Sequence, residues 1–165
     1  MLILGLDPGS LHTGYGLVER RGTTLLARDW GRISVPRGRD LPRRLADITA
    51  SLEELLDRDP PDLVVLEAPF HGRSSRSLIV LAQARGALLA CLARRGHSVV
   101  EYSPAEVKSA VTGNGRADKQ QVARMVRLAL RMEGEPLAED ASDALAVAIC
   151  CAQRYRMDSR VGALC

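Results

Sequence analysis

Five apolar or small residues, Leu2-Ile3-Leu4-Gly5-Leu6, run without helical spacing into a single acid, Asp7, and then into Pro8-Gly9. Such a run reads as a strand covered on both faces, and the Pro-Gly pair forces a turn directly after it. The pattern returns at Leu63-Val64-Val65-Leu66, which ends on Glu67 just before Ala68-Pro69. Strands of this kind belong to sheets enclosed by helices, which makes an α/β fold the expectation. An acid at the carboxyl end of such a strand stands at the sheet edge where α/β proteins build their sites. Taken alone, Asp7 reads equally well as a solvated residue that starts a turn.

The rest of the chain fills in around these two strands. Residues 2–7, 14–21 and 23–35 read as three strands joined by tight glycine-containing turns, hence an antiparallel meander. Leu41, Leu45, Ile48, Leu52, Leu55 and Leu56 set an amphipathic helix over 41–58, stopped by Pro60-Pro61. A second helix is expected over about 75–95, a short strand over 97–102, and helices near 104–112, 118–132 and 137–156. Residues 158–165 read as a loose tail, leaving one domain over 1–157. The strand–helix–strand order around 41–58 favours parallel pairing, which would set Asp7 and Glu67 about 4.8 Å apart at one edge. The expected architecture is a five-stranded mixed sheet, an antiparallel meander plus two parallel strands, flanked by helices.

Composition bounds the function. At 165 residues, 46% hydrophobic and 26% charged, the chain is sized for one compact core without disulfides. No apolar stretch reaches the roughly 20 residues that span a bilayer, and the start lacks the basic segment of a signal peptide, so a cytoplasmic protein is expected. Cys91, Cys150, Cys151 and Cys165 form no C-x-x-C pair, and His12, His71 and His97 are scattered, so neither zinc nor a disulfide frame is indicated. The net charge of +3 is compatible with one local basic face. Of 23 basic residues only Lys108 and Lys119 are lysine, which marks them either as chance survivors or as positions needing a compact ammonium. The 75–95 helix is apolar over much of its circumference, which suits a central core helix or, as read here, a subunit interface.

Two further acids complete the pattern. Asp140 and Asp143, three residues apart, fall on one face near the start of the last helix, with small neighbours in Asp140-Ala141-Ser142-Asp143-Ala144 that allow close approach to another surface. Helix capping explains either acid alone, but it does not explain Asp7 or Glu67. Four carboxylates in one pocket repel one another, and divalent cations remove the conflict. Oxygen ligands without Cys or His favour Mg²⁺ or Mn²⁺, and a pair of such ions suits phosphodiester hydrolysis.

With these residues in place the chain resembles the bacterial RuvC-type Holliday-junction resolvases of the ribonuclease H-like superfamily. The resemblance rests on an ordered set: Gly5-Leu6-Asp7-Pro8-Gly9-Ser10, Thr13-Gly14-Tyr15-Gly16, Leu66-Glu67 with Phe70, Gln83-Ala84-Arg85-Gly86, Val107-Lys108, Gly113 with Gly115 and Lys119, and Asp140 through Ala146. It implies a homodimer that cuts two opposed strands of a four-way DNA junction by hydrolysis, with about two Mg²⁺ or Mn²⁺ ions per site. Asp7, Glu67, Asp140 and Asp143 would be the metal-binding catalytic carboxylates, although some members of the family carry His at the position of Asp140. Lys108 and Lys119 would approach the scissile phosphates, and Phe70 would stack on bases at the opened crossover. A branch-migration helicase complex of the RuvA and RuvB type is the implied partner. The small and basic segment 71–76, with Arg73 and Arg76, reads as a loop that tracks phosphates, and Arg116 stands similarly before Lys119.

Three other readings fit parts of the pattern. An actin-like ATPase fragment also opens on a strand ending in Asp, but it needs a second lobe and a further glycine-rich motif. A catalytically silent junction-binding protein would not need four acids. A related ribonuclease H-like nuclease acting on other structured nucleic acid shares the same metal chemistry.

Overall fold

The computed structural model describes residues 1–68, 75–132, 134 and 136–161, without the side chains of residues 75, 76 and 156–161. Its elements in chain order are β1 (Leu2–Asp7), β2 (His12–Arg21), β3 (Thr24–Ser34), α1 (Leu41–Arg58), β4 (Leu63–Glu67), α2 (Ser75–Arg94), β5 (Val99–Tyr102), α3 (Pro104–Thr112), α4 (Lys119–Leu130) and α5 (Glu139–Val161). The five strands form one sheet in the order β3-β2-β1-β4-β5. β1, β2 and β3 are the expected antiparallel meander, and β4 and β5 continue it in parallel with β1.

The two-residue period of the strands sorts the core into two layers. Leu4, Leu6, Leu17, Val64 and Leu66 face one side, where Ile48, Leu52, Leu55 and Leu56 of α1 meet Leu88, Cys91 and Leu92 of α2. Ile3, Val18 and Val65 face the other side, against Leu145, Val147, Ala148 and Ile149 of α5, with α3 and α4 beyond. Fully burying each Leu, Ile or Val side chain among them contributes about 1.5–3 kcal/mol. The parity has a consequence at the strand ends. Asp7 follows Ile3 and Gly5, and Glu67 follows Val65, so both acids face the α5 layer.

Three glycines let α5 lie flat on the sheet. A Cβ at Gly5 would stand 2.1 Å from the Ala144 carbonyl oxygen, one at Gly14 would stand 2.0 Å from that of Asp140, and one at Gly16 would stand 2.7 Å from Leu145. These contacts leave no room for any side chain. They fall on β1 and β2, the two strands that α5 crosses, and on the face that carries Ile3 and Val18.

Element ends differ from the expected ones for local reasons. α4 starts at Lys119 because Asp118 is its N-cap, in a reciprocal box with Gln121, and α3 starts on a similar box between Ser103 and Glu106. β5 starts only at Val99, because His97 N–H still bonds the Leu92 carbonyl at the end of α2. α5 runs on to Val161, past the expected end at 156, so the backbone of 158–161 is helical and the remainder of the expected tail lies outside the described residues.

By length and composition alone, Ser77–Arg94 of α2 is long and apolar enough to cross a membrane, with 22% of that stretch buried. Gln83 and Arg85 interrupt that stretch in the sequence. Cys91, Cys150 and Cys151 are buried free thiols, in line with the small core residues expected.

Candidate active site

Asp7 and Glu67 end neighbouring parallel strands, each one residue beyond the paired Leu6 and Leu66. They line one cleft of about 520 Å³ with Asp140, Asp143, Lys108 and Lys119. The sheet edge supplies two carboxylates, the first turns of α5 supply two more, and α3 and α4 each bring one lysine. Asp7 and Glu67 are thus on the same side of the molecule, the geometry that the sequence required of them. The glycine floor decides the approach of the second pair, since the Asp140 backbone rests directly on Gly14 and Gly14 pairs with Asp7 across the β1–β2 ladder.

The electrostatics follow from that crowding. Burial, then the charges of Asp143, Glu67 and Asp140, push the Asp7 carboxyl up from 3.8 to about 7, against a smaller lowering by Lys119. Asp143 is also raised, again chiefly by burial, while Lys119 opposes the shift. Lys119 Nζ sits 3.6 Å from Asp143 Oδ2 and bonds Glu139 more closely still. The bond to Glu139 is the main reason that the Lys119 ammonium is held above its ordinary range. On the other flank Arg32 Nη1 lies 3.6 Å from Asp140 Oδ2. Arg32 reaches it because its cross-strand neighbour is Gly14, which has no side chain in the way.

Among the described residues no three Asp, Glu, His or Cys side chains close on one point as a finished metal cage. Two of the four carboxylates are instead turned to basic partners, Asp140 to Arg32 and Asp143 to Lys119. The donor chemistry fits a hard divalent cation, because the described residues lining the cleft include four carboxylates and no Cys or His, and one acid is driven to about 7 by burial and by the charges of the others.

The remaining residues expected in the site divide. Lys108 lines the cleft. Arg116 is exposed between α3 and α4, its backbone N–H bonded to Asn114 Oδ1, and it is not among the residues lining the cleft. Phe70 and Arg73, and the side chain of Arg76, lie outside the described residues. The sequence reading missed Arg32 and Glu139. Glu139 adjoins Asp140 in the chain and was open to notice; nothing short of the β2–β3 register brings Arg32 to the site.

A mixed sheet in this strand order, with carboxylates converging at the carboxyl ends of its two central parallel strands and on the helix laid across them, defines a nuclease of ribonuclease H-like architecture. A family model described as crossover junction endodeoxyribonuclease RuvC matches residues 3–151. The chain is 47% identical over 150 residues to the crossover junction endodeoxyribonuclease RuvC of Moorella thermoacetica, covering 91% of this chain and 90% of that one. Among solved structures, that of Thermus thermophilus RuvC aligns with a TM-score of 0.86 at 32% identity, over 95% of this chain and 96% of that one. T. thermophilus RuvC in complex with a Holliday junction substrate aligns equally well, at 30% identity over the same shares of the two chains. The chain belongs to the RuvC family of crossover junction endodeoxyribonucleases.

Proposed function

We propose that this chain resolves four-way DNA junctions in recombination and repair, cutting two opposed strands by metal-dependent hydrolysis to leave 5′-phosphate and 3′-hydroxyl ends. The observation that carries the reading is the convergence of Asp7, Glu67, Asp140 and Asp143 from three elements on one cleft. These four are the metal-binding catalytic carboxylates, and the ions are Mg²⁺ or Mn²⁺, two per site. When bound, they supply Lewis-acid charge to the attacked phosphodiester. For Asp140 and Asp143 to serve, their carboxylates turn from Arg32 and Lys119. Lys119, so released, and Lys108 then face the scissile phosphate and neutralise the charge that builds on it. Phe70 stacks on bases at the crossover, and Arg73, Arg76 and Arg116 hold backbone phosphates without reading sequence.

The working unit is a homodimer of one nuclease domain, residues 1–157, built on α2. Ile79 is 60% exposed. Ala82, Gly86, Ala90 and Ala93, also exposed, follow it at helical spacing, and side chains this small admit a second helix closely. The opposite face of this helix packs Leu88, Cys91 and Leu92 into the core against α1 and the sheet, so the helix is a layer of the domain and its small-residue face is open to a second copy. Two sites related by a two-fold axis match a nearly two-fold junction. Its place is the cytoplasm, with a branch-migration helicase complex as partner.

The test is incubation of the purified chain with a synthetic four-way junction, the matching duplex and an RNA–DNA hybrid, each with Mg²⁺, Mn²⁺ or EDTA. Paired cuts in opposed strands of the junction are expected with metal and none in EDTA. An intact junction with both metals, or equal cutting of the plain duplex, counts against the reading.

A further inference from the structure

Arg85 belongs to α2, on the side of the sheet away from the cleft, yet it grips the strand that carries Glu67. Its Nη1 donates to the Glu67 carbonyl oxygen at 2.7 Å. Its Nη2 lies 2.5 Å from Glu101 Oε1, as an ion pair whose alignment is not that of a hydrogen bond. The side chain is only 11% exposed, and a guanidinium so enclosed has to be held by its partners. Those partners are on adjacent strands at the same edge: Glu101 pairs with Leu66 in the β4–β5 register, and Glu67 is the next residue of β4. Beyond Glu67 the ladder continues with a bond from Ala68 N–H to the Tyr102 carbonyl.

We infer that Arg85 is a positioning residue for the reaction: by fixing the Glu67 carbonyl it sets the peptide plane, and through it the direction in which the Glu67 side chain enters the cleft. The physical reason is geometric. A side chain on the last residue of a strand is aimed by its own backbone frame, and at Glu67 the carbonyl half of that frame is held by Arg85. Arg85 does not line the cleft, so it acts through Glu67 alone. Outer partners that orient metal ligands in this way typically govern about 10- to 100-fold in metal affinity.

The inference rests on Glu67 being a metal ligand, and the experiment separates the two claims. Mn²⁺ is titrated calorimetrically into the full-length wild type and into Arg85→Met, Arg85→Lys, Glu101→Gln and Glu67→Gln. Single-turnover junction cleavage against Mg²⁺ concentration, junction binding in EDTA and melting temperature are followed alongside. Arg85→Met is expected to weaken Mn²⁺ binding about 10-fold and to raise the Mg²⁺ needed for half-maximal cleavage by a similar factor, with junction binding in EDTA unchanged. Arg85→Lys should restore part of this, because an ammonium reaches one acceptor without the planar fork. Glu101→Gln should shift metal binding in the same direction by less.

A lower melting temperature in Arg85→Met with unchanged Mn²⁺ affinity would make Arg85 mere glue for α2 and overturn the inference. Should Arg85→Met fail to fold, wild-type Mn²⁺ affinity in both Arg85→Lys and Glu101→Gln overturns it instead. Loss of Mn²⁺ binding in Glu67→Gln while the Arg85 variants behave as wild type overturns this inference alone. Wild-type Mn²⁺ binding in Glu67→Gln removes the metal-ligand role of Glu67, and this inference with it.

Discussion

Asp7 is where solvent exclusion and neighbouring charge act on one carboxyl group. In the unfolded chain it titrates near 3.8 and in the folded, metal-free protein at about 7, so the native state holds a proton that the unfolded state has released. Its effect on stability is therefore nil below about pH 4, grows more unfavourable as pH rises towards about 7, and is constant above that. Melting in EDTA should occur at a lower temperature at about pH 8 than at about pH 5, and Asp7→Asn should shrink that difference. The same variant should bind a four-way junction normally while cleaving it about 1000-fold more slowly or worse, since several kcal/mol of metal-held charge stabilisation depend on the site. An unchanged cleavage rate would remove Asp7 from the chemistry.

The relation between α5 and the sheet decides whether the four acids meet. Gly5, Gly14 and Gly16 are there because α5 occupies the space of their missing side chains, with its backbone at Gly5 and Gly14 and first with the Leu145 side chain at Gly16. In Gly14→Ala the new methyl would meet the Asp140 carbonyl at 2.0 Å, so α5 has to lift at its acidic end. Urea unfolding should show a loss of about 1–3 kcal/mol or more, and cleavage should fall beyond what that loss explains. Gly38→Ala is the matched control, with nothing within 4 Å of the added carbon, and it should stay within about 0.5 kcal/mol of wild type. Equal effects of the two changes would show that the flat seat of α5 does not govern the site.

At the scale of the whole molecule, the proposed function assigns assembly to the exposed face of α2 and DNA binding to the basic rim of the cleft. Ile79→Asp places a charge where a second copy is proposed to pack, and sedimentation should show dimer giving way to monomer. The monomer should nick junctions singly, because the paired cut needs two sites on one frame. Lys108→Ala should weaken junction binding and flatten its dependence on salt by about one counterion. An Ile79→Asp protein that remains dimeric would move the interface elsewhere.

The two apolar runs ending on acids, the meander, the parallel continuation and the acid pair of the last helix were all legible in the sequence. Each is a local pattern of period, punctuation and charge, and a strand buried on both faces has few alternatives. Period two also fixes that Asp7 and Glu67, at the ends of parallel neighbours, face the same layer. Which layer that is, and that Asp140 and Asp143 lie there, was decided by the seating of α5 on three glycines that only tertiary packing brings beneath it. Arg32 carries no mark in the sequence, and Arg85 stands out there only as part of the Gln83-Ala84-Arg85-Gly86 motif, which says nothing of what it touches: one reaches Asp140 through a strand register, the other reaches Glu67 from the opposite side of the sheet. Contacts between residues distant in the chain are set by how layers stack, and no local period encodes them.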